Sequence, residues 1–371
     1  MGKKEQCNAE TLRRAAGVAV GVLAQNRVRH VYLDISHHKE LPAEAFCEGA
    51  VLGQYEFDVY QGRDEDEPVP AKVEDVTVVL PEDEDTKHVE DACKLSVLIA
   101  LGTNGARHLA NTPPNEMTPA ALAEFAEGIA KDPDCDCTIL EQGQLASLGM
   151  NAMLGVAQGS AEPPRLIILE YRPSETAKTL AIVGKGVTFD SGGISLKPGQ
   201  DMHEMKYDMC GGAAVLGAMM TIVQLKPDVN VICVVPAVEN MPSDRAQRPG
   251  DIVKAYNGKT VEVHNTDAEG RLILADAMAY AVDKYKPDAM VNLATLTGAC
   301  VVALGHYAAG LFANNDDVAA GLIAAGETTG ERVWRMPVWD EYDKLIDGTH
   351  ADISNIGPRM EAGSITAACF L

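Results

Sequence analysis

Residues 165–184 read RLIILEYRPSETAKTLAIVG, two mainly apolar runs at 165–171 and 179–184 on either side of a polar turn carrying Pro173. Each run is short for a helix and neither alternates polar with apolar, which is the pattern of a strand buried on both faces. Outward from this pair, VNVICVVP at 229–236, VEVHN at 261–265 and AMVNLAT at 289–295 have the same character, and stretches of helical spacing near 118–130, 210–226 and 270–285 separate them. Apolar strands alternating with helices predict an α/β fold. The expected core is a doubly wound, mostly parallel sheet covered on both faces, with ligands at the carboxyl ends of its strands. Towards the N-terminus, residues 9–26 and 42–53 have helical spacing, while VYLDI at 31–35 and DVTVVL at 75–80 read as strands, a smaller α/β segment. The acidic runs RDEDEP at 63–68 and PEDEDTKHVED at 81–91 suit solvated loops or helix N-termini. A helix over 87–110 is then stopped by the prolines of NTPPNEMTP at 111–119. The expected division is a partial α/β domain at 1–85, a connecting helix at 86–110 and the main domain at 111–371.

Composition narrows the function. The chain has 371 residues, 46% of them hydrophobic, so a large buried core is available. Lys and Arg number 31 against 54 Asp and Glu, a formal net charge of −23, which repels nucleic acid and anionic membrane surfaces. The nine Cys are scattered, with only Cys135 and Cys137 close together, and fit reduced thiols better than a disulfide framework or a zinc finger. No apolar leader follows MGKKEQ, Gln6 spoils a myristoylation signal at Gly2, and no apolar run is read as reaching the ~20 residues of a membrane helix. A cytoplasmic protein is expected.

Three clusters carry chemistry. GKGVTFDSGG at 184–193 follows the strand TLAIVG and supplies Lys185 and Asp190, with Lys197 just beyond. It is no phosphate loop: Thr179 stands where the Walker pattern needs its first glycine, and Gly186 where it needs Ser or Thr. MHEMKYDMCGG at 202–212 places Asp208 before a glycine pair that opens a helix. HNTDAEGRLILADA at 264–277 supplies Asp267 and Glu269 in an extended turn, then Arg271 in the first turn of a helix, where a cation opposes the macrodipole and so calls for an anionic partner. Read as three strand-end loops of one sheet, these bring four carboxylates together, which would repel one another severely unless divalent cations intervene. Two such ions would neutralise them and leave Lys197 and Arg271 to hold charge that develops on a substrate.

NTDAEGRL at 265–272 resembles the signature octapeptide of the leucyl aminopeptidase (cytosolic aminopeptidase) family of dinuclear metallopeptidases. VGKGVTFDSGGISLKP at 183–198, MKYDMCGGAAV at 205–215, NLATLTGA at 292–299 and the ending GSITAACFL are similar to that family in the same order, from about residue 86 onward, with weaker similarity before it, including EGAVLGQYEFDVY at 48–60. The resemblance implies two divalent metals per subunit, Zn²⁺ or Mn²⁺, bridged by Asp190 and Glu269, with Lys185 and Asp208 completing the tighter site and Asp267 the more exchangeable one. It also implies that a metal-bridging water attacks the scissile carbonyl, that Lys197 acts as electrophile, and that Arg271 holds a bicarbonate proton shuttle. Met205, Asn265, Thr295 and Leu296 match positions lining the substrate pocket, Met205 suiting an apolar first residue such as Leu. The expected activity is release of N-terminal residues from peptides by a homohexamer. His203 and His264 stand beside the clusters and read as hydrogen-bonding residues rather than ligands.

Against the family pattern the chain starts partway into the N-terminal domain and stops at CFL, which predicts a protein less stable or less active than a longer relative. A non-catalytic hexameric assembly or DNA-binding role is the alternative from another class, disfavoured by the charge of −23. A two-metal phosphoesterase would use four carboxylates equally well, and only the signature sets it aside.

Overall fold

The computed structural model describes residues 8–38, 41–62 and 72–371. The acidic run 63–68 lies outside the described residues. Two compact units divide the chain, Met1–His108 and Leu109–Leu371.

In the first unit the order is α1 (Ala9–Gln25), β1 (His30–Asp34), α2 (Ala43–Leu52), β2 (Asp75–Val79) and most of α3 (Thr86–Asn111). Asn8 caps α1, its side chain accepting from Thr11 N at 2.9 Å. Leu12, Ala16 and Val20 recur at the helical period and pack with Ala45, Phe46 and Ala50 of α2. β1 and β2 form a two-stranded parallel sheet, His30 opposite Asp75.

The second unit continues with α4 (Pro119–Ile129), β3 (Cys135–Glu141), α5 (Gln142–Leu148), α6 (Asn151–Ala157), β4 (Arg165–Tyr171), β5 (Thr179–Gly184) and β6 (Gly186–Asp190). Next come α7 (Cys210–Leu225), β7 (Asn230–Asn240), β8 (Ile252–Lys254), β9 (Thr260–Glu262), α8 (Gly270–Tyr285) and β10 (Ala289–Leu293). The chain closes with α9 (Gly298–Leu304), β11 (Ala309–Leu311), α10 (Asp316–Thr329), β12 (Val333–Arg335), α11 (Asp340–Asp343), β13 (Ile353–Ser354) and α12 (Gly363–Phe370). The central sheet runs β10-β5-β7-β4-β3, with β6 also beside β7. β10, β5, β6 and β7 are parallel, while β4 and β3 add an antiparallel flank. α7 packs on β5 and β7, and α8 and α6 also pack on β7, so the apolar strands are covered as their composition demands.

Two strand readings need correction. VEVHN does not join the central sheet: only Thr260–Glu262 is a strand, in a separate three-stranded sheet with β8 and β13. And β7 does not stop at Pro236 but runs on to Asn240. Pro236, with no N–H to give, falls in the gap where β7 exchanges one parallel partner for another: β5 pairs up to Val234 and β6 begins at Ala237. The stretch 202–225 is also more apolar than the sequence reading expects. Met202–Leu225 is long and apolar enough to cross a membrane by composition, yet over half of it is buried in this unit, where α7 packs on the sheet.

The break between β5 and β6 at Lys185 is what opens the sheet. There Lys185 N donates to Leu293 O at 2.9 Å and Lys185 O accepts from Gly212 N at 2.7 Å, tying β10 and the start of α7 to the gap. α7 comes this close because of its glycine pair. A Cβ on Gly211 would lie 2.1 Å from Leu293 O, and one on Gly212 would lie 2.8 Å from the Val235 side chain. The obstacle at Gly211 is backbone and cannot rotate away. Gly211→Ala is therefore expected to cost on the order of 2–3 kcal/mol, the scale of overpacking a tight core, read as a lower urea midpoint with an unchanged m-value.

Candidate active site

The sheet delivers side chains to one place because its parallel strands end together. β5 ends at Gly184, β6 at Asp190, β7 at Asn240 and β10 at Leu293, so Lys185, Asp190 and Thr295 come from adjacent carboxyl ends. Asp208 arrives from the turn between the 3-10 segment Met202–Tyr207 and α7. Asp267 and Glu269 come from the loop joining β9 to α8. That loop follows a strand of the small sheet, so the three clusters meet without belonging to one sheet.

Lys185 Nζ lies 2.8 Å from Asp208 Oδ1 and 2.8 Å from Glu269 Oε1, and donates to Thr295 O at 2.9 Å. Lys197 Nζ lies 2.8 Å from Asp190 Oδ2 and also pairs with Asp267 Oδ1. Thr295 Oγ1 donates to Asp208 Oδ1 at 2.8 Å. Asp190, Asp267 and Glu269 each offer an oxygen within 4.8 Å of the others. Lys185, Asp190, Asp208 and Glu269 are buried.

Burial dominates the titration here. It raises the Asp208 and Asp190 carboxyls above their usual range, aided by neighbouring carboxylates, and pushes Asp267 up to about 6. Burial alone would also disfavour ionised Glu269, but the Lys185 ammonium outweighs it and lowers that carboxyl. Both lysines lose some ionisation to burial and regain more from the carboxylates around them, so both are raised. Arg271, buried in the first turn of α8, drops to about 10 through burial, with Glu269 opposing. Its Nε and Nη1 atoms are buried with no hydrogen-bond partner among the described residues.

Four carboxylates face two ammonium groups, an excess of two negative charges in a largely dry site. Asp208 Oδ2 and Asp267 Oδ1 sit within ion-pairing distance of a lysine but outside hydrogen-bond geometry. One amine and otherwise carboxylate oxygens make a hard donor set, which fits divalent cations. The site thus suits metal ions on its own chemistry.

The substrate-side positions are less tightly grouped. Thr295 touches the cluster directly. Asn265 reaches it through Asp267, whose N–H donates to Asn265 Oδ1 at 2.9 Å. Met205 is half-buried in the 3-10 segment, and Leu296 packs against the edge of the main core. His203 is exposed, while His264 stands near Glu262 Oε2 at 3.3 Å and Ser354 Oγ at 3.3 Å.

Residues 104–371 match the catalytic domain of the Cytosol aminopeptidase family, and residues 1–64 match its N-terminal domain. The chain belongs to the cytosol aminopeptidase family. A probable cytosol aminopeptidase of Syntrophotalea carbinolica is 48% identical over all of this chain and 75% of the relative. Another from Agrobacterium fabrum is 48% identical over all of this chain and 74% of its own length. Among solved structures, the bottromycin maturation enzyme BotP in complex with Mn superposes with a TM-score of 0.89 at 36% identity, covering 98% of this chain and 77% of that one. Cytosol aminopeptidases are metal-dependent peptide hydrolases, and this chain is a metal-dependent aminopeptidase of that family.

Several polar residues that brace the site carry no sequence signal of their own. Asn355, fully buried, accepts from His264 N at 2.8 Å and donates to Asn265 O at 2.6 Å, holding the entry to the Asp267 loop. Thr266 Oγ1 donates to Gly192 O at 2.7 Å and accepts from Ser195 N at 2.8 Å, stitching that loop to the Asp190 loop. Gly192, at φ +86°, leaves room where a Cβ would stand 2.8 Å from Asp267 Oδ1. Glu262 anchors the far side: its carboxylate accepts from Thr349 N at 3.0 Å and from His350 N. The Thr349 N–H is the main cause that holds Glu262 below its usual 4.5, burial opposing and the His350 N–H assisting.

A depressed carboxyl stabilises the fold above its unfolded pKa and loses that contribution as the pH falls through the folded value. At pH 7, Glu262→Gln should therefore melt below wild type. That gap should narrow as the pH drops below about 4.5, the ordinary glutamate range. A gap that stays constant from pH 7 to pH 3.5 in paired thermal melts would contradict this assignment.

Proposed function

We propose that the chain is an aminopeptidase that releases Leu and other apolar residues from the free N-terminus of peptides, using two divalent ions, Zn²⁺ or Mn²⁺, in each subunit. The observation that carries the reading is the excess of buried carboxylate over ammonium in the candidate site. Lys185, Asp190, Asp208, Asp267 and Glu269 would hold the ions. Bound there, the ions would supply Lewis acidity and a water of lowered pKa. The relative described in complex with Mn supports manganese as one occupant.

The other roles fall to this chain's own side chains. Lys197, partly exposed at the edge of the cluster, presents a positive charge to the scissile carbonyl oxygen as negative charge builds on it. Arg271 offers two buried nitrogens with no partner among the described residues, a demand that a planar oxyanion meets. Arg271 would hold a bicarbonate ion there, which when bound would supply a proton acceptor and donor beside the reacting groups. Water oxygen then bonds to the carbonyl carbon, the C–N bond breaks, and the proton ends on the new amino terminus. Met205, Asn265, Thr295 and Leu296 would contact the first residue of the substrate, the thioether of Met205 adapting to an apolar side chain. A cytoplasmic location is in keeping with the names of the cytosol aminopeptidases it resembles, and we further propose that it acts on peptides as a homohexamer.

The test is hydrolysis of p-nitroanilides by protein loaded with Mn²⁺ or Zn²⁺. Leucine p-nitroanilide is expected to turn over faster than the Glu or Arg analogue, and its N-acetylated form not at all. Lys197→Ala should lower kcat by roughly 10²- to 10³-fold, the usual effect of losing one electrostatic stabiliser, with metal content unchanged. Equal cleavage of the blocked substrate would overturn the aminopeptidase reading.

A further inference from the structure

β7 ends in a buried asparagine whose amide serves two loops at once. Asn240 Nδ2 donates to Asp190 Oδ1 at 2.8 Å and to Thr266 O at 3.0 Å. A backbone carbonyl can only accept, so the amide must present its nitrogen on this side. One –NH₂ group therefore commits both of its hydrogens to two segments that carry carboxylates, the end of β6 and the loop before α8.

The backbone enforces this pairing. β6 runs beside β7 with Val187 opposite Val238, then shifts register so that Phe189 faces Glu239 and Asp190 faces Asn240. Without that shift, Thr188 would pair with Glu239, Phe189 would stand opposite Asn240 and Asp190 would be carried past it; the irregularity aims the carboxylate. Asn240 is itself pinned, its carbonyl accepting from Ser191 N at 3.0 Å and Ser191 Oγ at 2.7 Å. Gly193, at φ +66°, keeps clear the space where a Cβ would come within 2.7 Å of Asn240 Oδ1.

Asp190 Oδ1 also accepts from Gly192 N at 2.9 Å. That oxygen is thus committed to two protein donors, and Oδ2 is the one turned toward the Lys197 ammonium, 2.8 Å away. We infer that Asn240 is a positioning residue of the metal site: it fixes Asp190 so that a single oxygen, Oδ2, is offered to metal, and it spaces the Asp267 loop to match. The inference rests on the metallopeptidase reading above. It adds a residue that touches neither substrate nor metal and acts through Asp190 and Thr266.

Metal-free protein titrated with Mn²⁺ alone, with free Mn²⁺ followed by its EPR signal, tests the inference. Asn240→Ala removes both donors. Asn240→Val does the same with a β-branched side chain suited to a strand and without a hydroxyl that could donate in its place, and so guards against an alanine chain that fails to fold. The control is Asn230→Ala, which removes a buried amide from the opposite end of β7, roughly 33 Å away at strand rise, where Nδ2 donates to Ala177 O at 3.0 Å. Both Asn240 variants are expected to bind Mn²⁺ roughly 10- to 100-fold more weakly than wild type, the usual effect of removing a hydrogen bond that orients a ligand. Asn230→Ala should keep wild-type affinity although it melts earlier. Unchanged affinity in the Asn240 variants, or an equal loss in Asn230→Ala, would overturn the positioning role while leaving the metallopeptidase reading intact. Wild-type protein that binds no Mn²⁺ would overturn both.

Discussion

Like charges packed at a sheet end repel, and everything around the candidate site answers to that repulsion. Asp190, Asp208, Asp267 and Glu269 are held together by Lys185 and Lys197, each ammonium straddling two carboxylates from different segments. A rigid frame is needed because the charges alone would spread apart. The frame is the parallel edge of the sheet, opened at Lys185 and closed again by α7, whose glycines bring its first turn against the strand ends. A second layer of neutral amides and hydroxyls, Asn240, Thr266, Ser195 and Asn355, fixes the loops without adding charge. Buried polar networks of this kind hold one geometry well when every member is satisfied.

Local signals made much of this legible beforehand. The helices and strands of the first unit, the helices at 119–129, 210–225 and 270–285, and the strands 165–171 and 179–184 follow directly from periodicity and proline placement. The parallel-rich α/β class follows from their alternation, and the family from motifs that are contiguous in the chain. Lys185, Asp190, Asp208, Asp267 and Glu269 sit in such motifs, so their residue types could be seen before any geometry existed.

Elsewhere the deciding contacts are between distant segments. VEVHN looks like any other apolar strand, and only its pairing with β8 and β13 removes it from the central sheet. Pro236 suggests a strand end, because nothing in the sequence says that the parallel partner changes at that point. β3 alternates Cys135, Asp136, Cys137 and Thr138 in the manner of an edge strand, a weaker pattern than its buried neighbours present. Asn240 lies 50 residues from Asp190 and 26 from Thr266, and Asn355 lies 90 from Asn265. An asparagine in isolation has no pattern. What marks these two is burial together with two acceptors or donors in reach, and that exists only after folding.

Arg271 carries a different kind of cost. A guanidinium taken out of water at a helix N-terminus, with two of its nitrogens unanswered among the described residues, is a liability for folding. An apolar residue of similar bulk would fit the same space with less penalty, and the lysine–carboxylate cluster beside it invites the same trade. Heat-resistant variants chosen without regard to turnover would therefore accumulate at this site first. In this fold, stability and the proposed chemistry make opposite demands on the same residues.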